Sequence, residues 1–103
     1  MQIYVKGGDF VPKSYNNFEY SVEKLSHFRI EEIIAETLDE TCNDTMIDTS
    51  SIDLAAIENG HNTRCYVYTN THKIFFNLRA EVTSEGYMLY FSSITTTGRH
   101  TPL

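Results

Sequence analysis

Glu31, Glu32, Glu36, Asp39 and Glu40 put five carboxylates into ten residues, and after Arg29 no lysine or arginine appears until Arg64. Clustered carboxylates suit three kinds of chemistry: holding a divalent cation, exchanging protons as an acid and base pair, or presenting a row of negative charge to a cationic partner. Asp44, Asp48, Asp53 and Glu58 extend the same unbalanced interval to nine acids. Residues 31–60 carry a formal charge of -9, whereas 1–30 carry +1 and 61–103 carry +2, within a chain total of -6.

The first two chemistries find little support. Glu32 and Glu36 share a helical face at i,i+4, as Asp44 and Asp48 would on a continued helix, but "NDTMIDTSSID" lacks the ligand spacing of a calcium loop. The two cysteines, Cys42 and Cys65, fit neither a redox pair nor a zinc pattern. No metal or cofactor is expected. Ser50-Ser51 and Thr95-Thr96-Thr97 sit in no nucleophile elbow, and Gly7-Gly8 reads as a turn rather than a phosphate loop. His72, His100, Arg79, Arg99 and Tyr90 supply the acid, base and cation that phosphodiester cleavage needs. Since a substrate face for RNA is ordinarily basic, that RNase-like site is the alternative reading, not the first.

The third chemistry depends on where the carboxylates point. With Ile30 as zero and ~100° per residue, Ile30, Ile33, Ile34, Leu38 and Cys42 form one apolar stripe, while Glu32, Glu36, Asp39 and Glu40 fall at roughly 180–280°, outward. Glu32, Glu36 and Glu40 repeat at i,i+4, where each like-charged pair costs about 0.2–0.5 kcal/mol. Stability alone would favour mixed signs there. Over ~14 Å of helix axis the five acids give one charge per roughly 3 Å, close to the ~3.4 Å phosphate spacing of a single DNA strand. Such a face can occupy a basic nucleic-acid groove and steer a basic partner from a distance.

The elements that must position these residues follow from periodicity. "MQIYVKG" alternates Ile3 and Val5 against Tyr4, and "NFEYSVEKL" alternates Phe18, Tyr20 and Val22 against Glu19, Ser21 and Glu23, so both read as strands, with "DFVPKSYNN" a loop between them. Ser26 caps a helix over His27 to Cys42. "NDTMIDTSS" reads as a linker. "SIDLAAIENG" reads as a short helix capped by Ser51 and ended by Gly60, although a strand holding Ile52, Leu54 and Ala56 fits the same letters. "TRCYVYT", "KIFFNLRAEV" and "YMLYFSSIT" are β-rich and joined by short turns, the first holding His72. The expected fold is α+β in the order ββα(α)βββ: a mainly antiparallel sheet with a C-terminal three-stranded meander, and one or two helices packed on one face. The 103 residues suit a single domain, with 97–103 as a loose tail.

Thirteen aromatic residues, seven tyrosines and six phenylalanines, argue for a packed core, with Tyr66, Tyr68, Tyr87 or Tyr90 as candidate outward-facing anchors. The negative total disfavours nucleic acid or an anionic membrane as a direct partner. Neither a leader nor a membrane span is evident, so a cytoplasmic protein with reduced thiols is expected. The sequence thus predicts a non-enzymatic acidic binding module, with Glu31, Glu32, Glu36, Asp39, Glu40, Asp44 and Asp48 contacting a basic protein partner such as a nuclease or other nucleic-acid-processing enzyme. By charge and size it is analogous to restriction inhibitors, phage-encoded inhibitors of host defence and immunity proteins against nuclease toxins. A structural subunit, or a homodimer paired through its sheet, stays open.

Overall fold

The structure is a computed structural model that describes residues 13–37, 47–69 and 72–98. It is an α+β fold, with strands β1 (Lys13–Tyr15), β2 (Phe18–Val22), β3 (Ile47–Ser51), β4 (Thr63–Thr69), β5 (His72–Thr83) and β6 (Gly86–Gly98), and helices α1 (His27–Thr37) and α2 (Leu54–Glu58). All pairings are antiparallel. The sheet runs β1-β6-β5-β4-β3, with β2 also on β6, so the C-terminal meander forms as expected.

β5 carries the alternation that divides the sheet into two faces. Ile74, Phe76, Leu78 and Ala80 are buried on the inner face, while Lys73, Phe75, Asn77 and Arg79 between them stay partly exposed on the outer face. Neighbouring strands add to the same face: Cys65 and Val67 from β4, and Leu89, Phe91 and Ile94 from β6, are all buried. The helices cover this inner face, with Ile30, Ile33 and Ile34 of α1 and Ile57 of α2 in the same cluster. Phe91 lies between Phe18, stacked at 4.6 Å, and Phe76 at 5.7 Å.

β6 keeps Phe91 and Ile94 both inward although they are three apart, which strict period-two alternation forbids. The register with β5 shifts between Phe75 and Asn77. Ser93 absorbs the extra residue at φ 49°, a left-handed conformation. The edge strand breaks at the same level: Tyr15 pairs with Ile94 and Phe18 with Phe91, leaving Asn16 and Asn17 beside the bulge.

Several sequence expectations shift for physical reasons. Lys13–Tyr15, read as loop, is a strand because the 13 residues of β6 can hold two short partners end to end. Ile47–Ser51, read as linker, is a strand at the sheet's edge; its Asp, Thr and Ser residues are tolerated because among the described residues only β4 pairs with it. Residues 54–58 are helical, settling helix against strand, but the cap is Asp53, which accepts from the Ala56 amide at 3.2 Å, and not Ser51. Gly60 does end this helix at φ 86°. His72 opens β5 instead of sitting in the turn, its amide donating to the buried Thr69 hydroxyl at 3.0 Å. Thr97 and Gly98, expected in the loose tail, belong to β6. The strand expected over Ile3 and Val5, and the helix end at Leu38 and Cys42, lie outside the described residues.

At the β5–β6 hairpin Thr83 pairs with Gly86, and a Cβ at Gly86 would sit 2.3 Å from the Val22 carbonyl oxygen, so only glycine lets β2 pass this closely.

The bulge predicts a graded response at Ser93. Ser93→Gly should leave stability within about 0.5 kcal/mol of wild type, whereas the β-branched Ser93→Val should lower it by about 1–2 kcal/mol, read from urea midpoints. Burial pushes the Cys65 thiol up to about 11, whereas an unfolded thiol titrates at about 8.5. The folded state therefore favours the neutral thiol, and its contribution is complete below about pH 8.5 and lost as pH rises towards about 11. A Cys42→Ser protein should accordingly resist Ellman's reagent at pH 8 when native and react fully in denaturant. Its alkaline loss of stability should exceed that of a further Cys65→Ala variant.

Candidate functional site

α1 begins where Ser26 Oγ accepts the Arg29 amide at 3.0 Å, the cap expected from sequence. One stripe of the helix is committed to the core through Ile30, Ile33 and Ile34, whose exposure is 1% or less. A second stripe, Phe28, Glu31, Glu32 and Ala35, follows i, i+3, i+4, i+7 spacing along the flank of the first. Together with Glu36 and with Ile47 of β3 these residues line a groove of about 310 Å³. Its wall is apolar at Ala35, Ile47 and Phe28, and carboxylates line the rest. Phe28 is 71% exposed, an unusual position for a large apolar side chain at the lip of a charged groove.

The three carboxylates are held differently. Glu31 accepts a short hydrogen bond from the Ser50 hydroxyl of β3, fixing it across the groove. Glu32 is paired with Arg29 at 2.5 Å, and that guanidinium also donates to the Tyr20 hydroxyl at 2.5 Å. The hydrogen bond to Glu32 holds Arg29 above its ordinary pKa, against the opposing effect of desolvation. Glu36 is exposed at the rim and makes no ion pair among the described residues. The repulsion expected between Glu32 and Glu36 is thus offset by Arg29, one turn back. The row is less starkly unbalanced than its letters suggest, and the four side chains leave a net -2.

Of the sequence-predicted partner residues, Glu31, Glu32 and Glu36 converge on the groove. Asp39, Glu40 and Asp44 lie outside the described residues. Asp48 falls in β3, with its backbone described and its side chain not. Among the described residues no three His, Cys, Asp or Glu side chains come together as metal ligands. His72 and Arg79 occupy positions of opposite parity on β5, so they face different sides of the sheet, while Tyr90 lies beside Arg79. His100 and Arg99 of the RNase-like set lie outside the described residues.

Sequence reasoning overlooked Phe28, Ser50 and the ion-pairing of Arg29. The i+3, i+4 spacing from Phe28 to Glu31 and Glu32 was available as a signal; the Ser50 contact, 19 residues away in the chain, was not. It also left open which tyrosines face outward. Tyr66, Tyr68 and Tyr90 stand on the outer face, whereas Tyr87 packs against the core. No helix among the described residues is long and apolar enough to cross a membrane.

Comparison of the chain with protein-family models, curated proteins and solved structures finds no match.

If Phe28 is a surface residue held out of the core, Phe28→Ala should change stability by less than about 0.5 kcal/mol. Ile33→Ala, one turn further and fully packed, should cost about 2–5 kcal/mol. Chemical denaturation of the two variants checks the contrast.

Proposed function

We propose that the chain is a non-enzymatic binding protein whose acidic groove between α1 and β3 takes a basic protein partner. In its most concrete form it is an inhibitor or immunity-type protein that blocks a nuclease or another nucleic-acid-processing enzyme. One observation carries this reading: exposed Phe28 stands beside Glu31, Glu32 and Glu36 on a groove with an apolar wall. An arginine or lysine side chain has an apolar stem and a cationic head, and this groove offers a surface to each. Phe28 has the character of an aromatic anchor, the residue type that concentrates binding energy at interfaces.

The charge pattern supports the same partner class. Glu36 needs no rearrangement to meet an incoming cation, and the chain's -6 would steer basic surfaces towards it and repel polyanions. An enzyme that processes nucleic acid carries the kind of basic cleft such a surface can occupy. The buried Cys65 thiol suits a reducing compartment, in keeping with action in the cytoplasm.

The test is affinity capture from the native host with wild type, Phe28→Ala and a Glu31→Gln, Glu32→Gln, Glu36→Gln triple variant. A basic protein should be retained at low salt, released as ionic strength rises, and bound roughly 10-fold more weakly or worse by either variant. Retention that is indifferent to salt and to both variants would overturn the proposal.

A further inference from the structure

Of the chain's seven asparagines only Asn59 is followed by glycine; the others precede Asn, Phe, Asp, Thr, Thr and Leu. The pair is chemically reactive because of both residues. A bond between the Asn59 side-chain carbonyl carbon and the next backbone nitrogen closes a five-membered ring, and glycine sets no Cβ beside that nitrogen to hinder its approach. The surroundings are open. Residues 58–62 are all exposed, and a Cβ built on Gly60 would meet nothing within 4 Å. There is room for the ring and for the water that opens it. Asn77, by contrast, lies in the middle of the sheet, paired to both β4 and β6 and followed by the buried Leu78.

In the folded chain the nucleophile is held. The amides of Asn59, Gly60 and His61 donate to the carbonyls of Ala55, Ile57 and Ala56 at 3.1, 3.0 and 3.0 Å, closing α2 with Gly60 in the left-handed region. The Gly60 proton is thus engaged with Ile57, and attack requires that bond to break and the last turn to open. α2 is poorly equipped to stay shut by itself. Its five residues are far fewer than an isolated helix needs, so it is kept by the fully buried Ile57 and by the Asp53 cap at 3.2 Å. Opening of so short an element is a local event that does not require global unfolding.

We propose that Asn59-Gly60 is a site of spontaneous backbone modification, where transient opening of α2 lets water and the chain itself convert asparagine to isoaspartate and aspartate, so that the helix loses its grip on the core as the molecule ages. The Gly60 nitrogen gives its proton to water and bonds to Asn59 Cγ; the side-chain nitrogen takes up a proton and leaves as ammonia. The product is a succinimide. Water then breaks one of the two ring C–N bonds: cleavage at Cγ gives aspartate, and cleavage at the backbone carbonyl reroutes the chain through Cβ and Cγ as isoaspartate. Isoaspartate lengthens the backbone by one carbon and moves the Gly60 and His61 amides off their acceptors. Either product puts a carboxylate at the C-terminal end of α2, beside Glu58, with no basic residue in the last turn to offset it. The site stands independently of the groove reading.

The full chain, incubated for weeks at 37 °C in neutral buffer and in parallel in urea, tests this by peptide mapping and by labelling with an isoaspartate methyltransferase. Isoaspartate should accumulate at position 59 ahead of the other six asparagines, more slowly in the native chain than in urea. Asp53→Ala, which removes the α2 cap, should speed the native reaction about 3- to 10-fold and leave the urea rate unchanged. A series of sub-denaturing urea concentrations on wild type repeats that comparison without a substitution and should show the same acceleration. In full denaturant, Asn59→Gln and Gly60→Ala should each lose most of the reaction. The isoaspartate form, separated by ion exchange, should unfold at a lower urea midpoint than fresh protein. A native chain that stays intact at position 59 while the unfolded chain reacts would overturn the proposal. So would a native rate indifferent to both Asp53→Ala and mild urea, or an isoaspartate form as stable as the original.

Discussion

β5 alternates so strictly that every other element takes its position from it. Ile74, Phe76, Leu78 and Ala80 fill one face and Lys73, Phe75, Asn77, Arg79 and Glu81 occupy the other. A one-residue slip would put the charges under the helices and the aliphatic residues in water, so the register is strongly specified. β4 and β6 inherit this parity through the ladder. The inner face then needs a cover, and the isoleucines of α1 and α2 provide it. Because α1 commits Ile30, Ile33 and Ile34 to that cover, its flank is left to carry Phe28, Glu31, Glu32 and Glu36 beside β3.

The break in the alternation of β6 is itself held in place by polar contacts. Arg64 donates to the Ser93 carbonyl at 2.9 Å and to the Asn77 amide oxygen at 3.2 Å, satisfying backbone that the bulge removes from regular pairing. The bulge returns Ile94 to the core after two serines, so β6 can serve as the common partner of β1, β2 and β5. The same arginine therefore stabilises an irregular backbone and supplies positive charge to the outer face. Charge is partly sorted by the topology: Glu31, Glu32 and Glu36 lie on the helix layer with Arg29, whereas Arg64, Lys73 and Arg79 lie on the bare sheet face with Glu81, and the hydrophobic core stands between them.

Much of this was legible in the letters, and the failures are instructive. Period two in "KIFFNLRAEV" and period 3.6 in "RIEEIIAET" are written by side chains that enter the core, and both elements form as read. β3 was hidden because an edge strand of Asp, Thr and Ser needs no alternating apolar pattern, and β1 because its pairing depends on the length of β6 and not on its own three residues. The groove was half visible. The three carboxylates could be placed on one helix, but the Ser50 hydroxyl that fixes Glu31 and the Ile47 wall come from β3, which local spacing cannot reveal. The pairing of Arg29 with Glu32 was open to a local reading at i,i+3, yet counting charge only after Arg29 concealed it.

A surface with an exposed aromatic, three convergent acids and an apolar wall differs from a merely solvated acidic helix in one respect: it should concentrate a cationic ligand at one place. An amide NMR titration of the protein with a short arginine-rich peptide at low salt measures this residue by residue. Shifts should concentrate at Phe28, Glu31, Glu32, Glu36 and Ile47 and saturate together, while Tyr66, Phe75 and Arg79 stay still. Weak shifts spread evenly over remote acids such as Glu19, Glu58 and Glu85, or centred on the outer sheet face, would contradict the groove as the binding site.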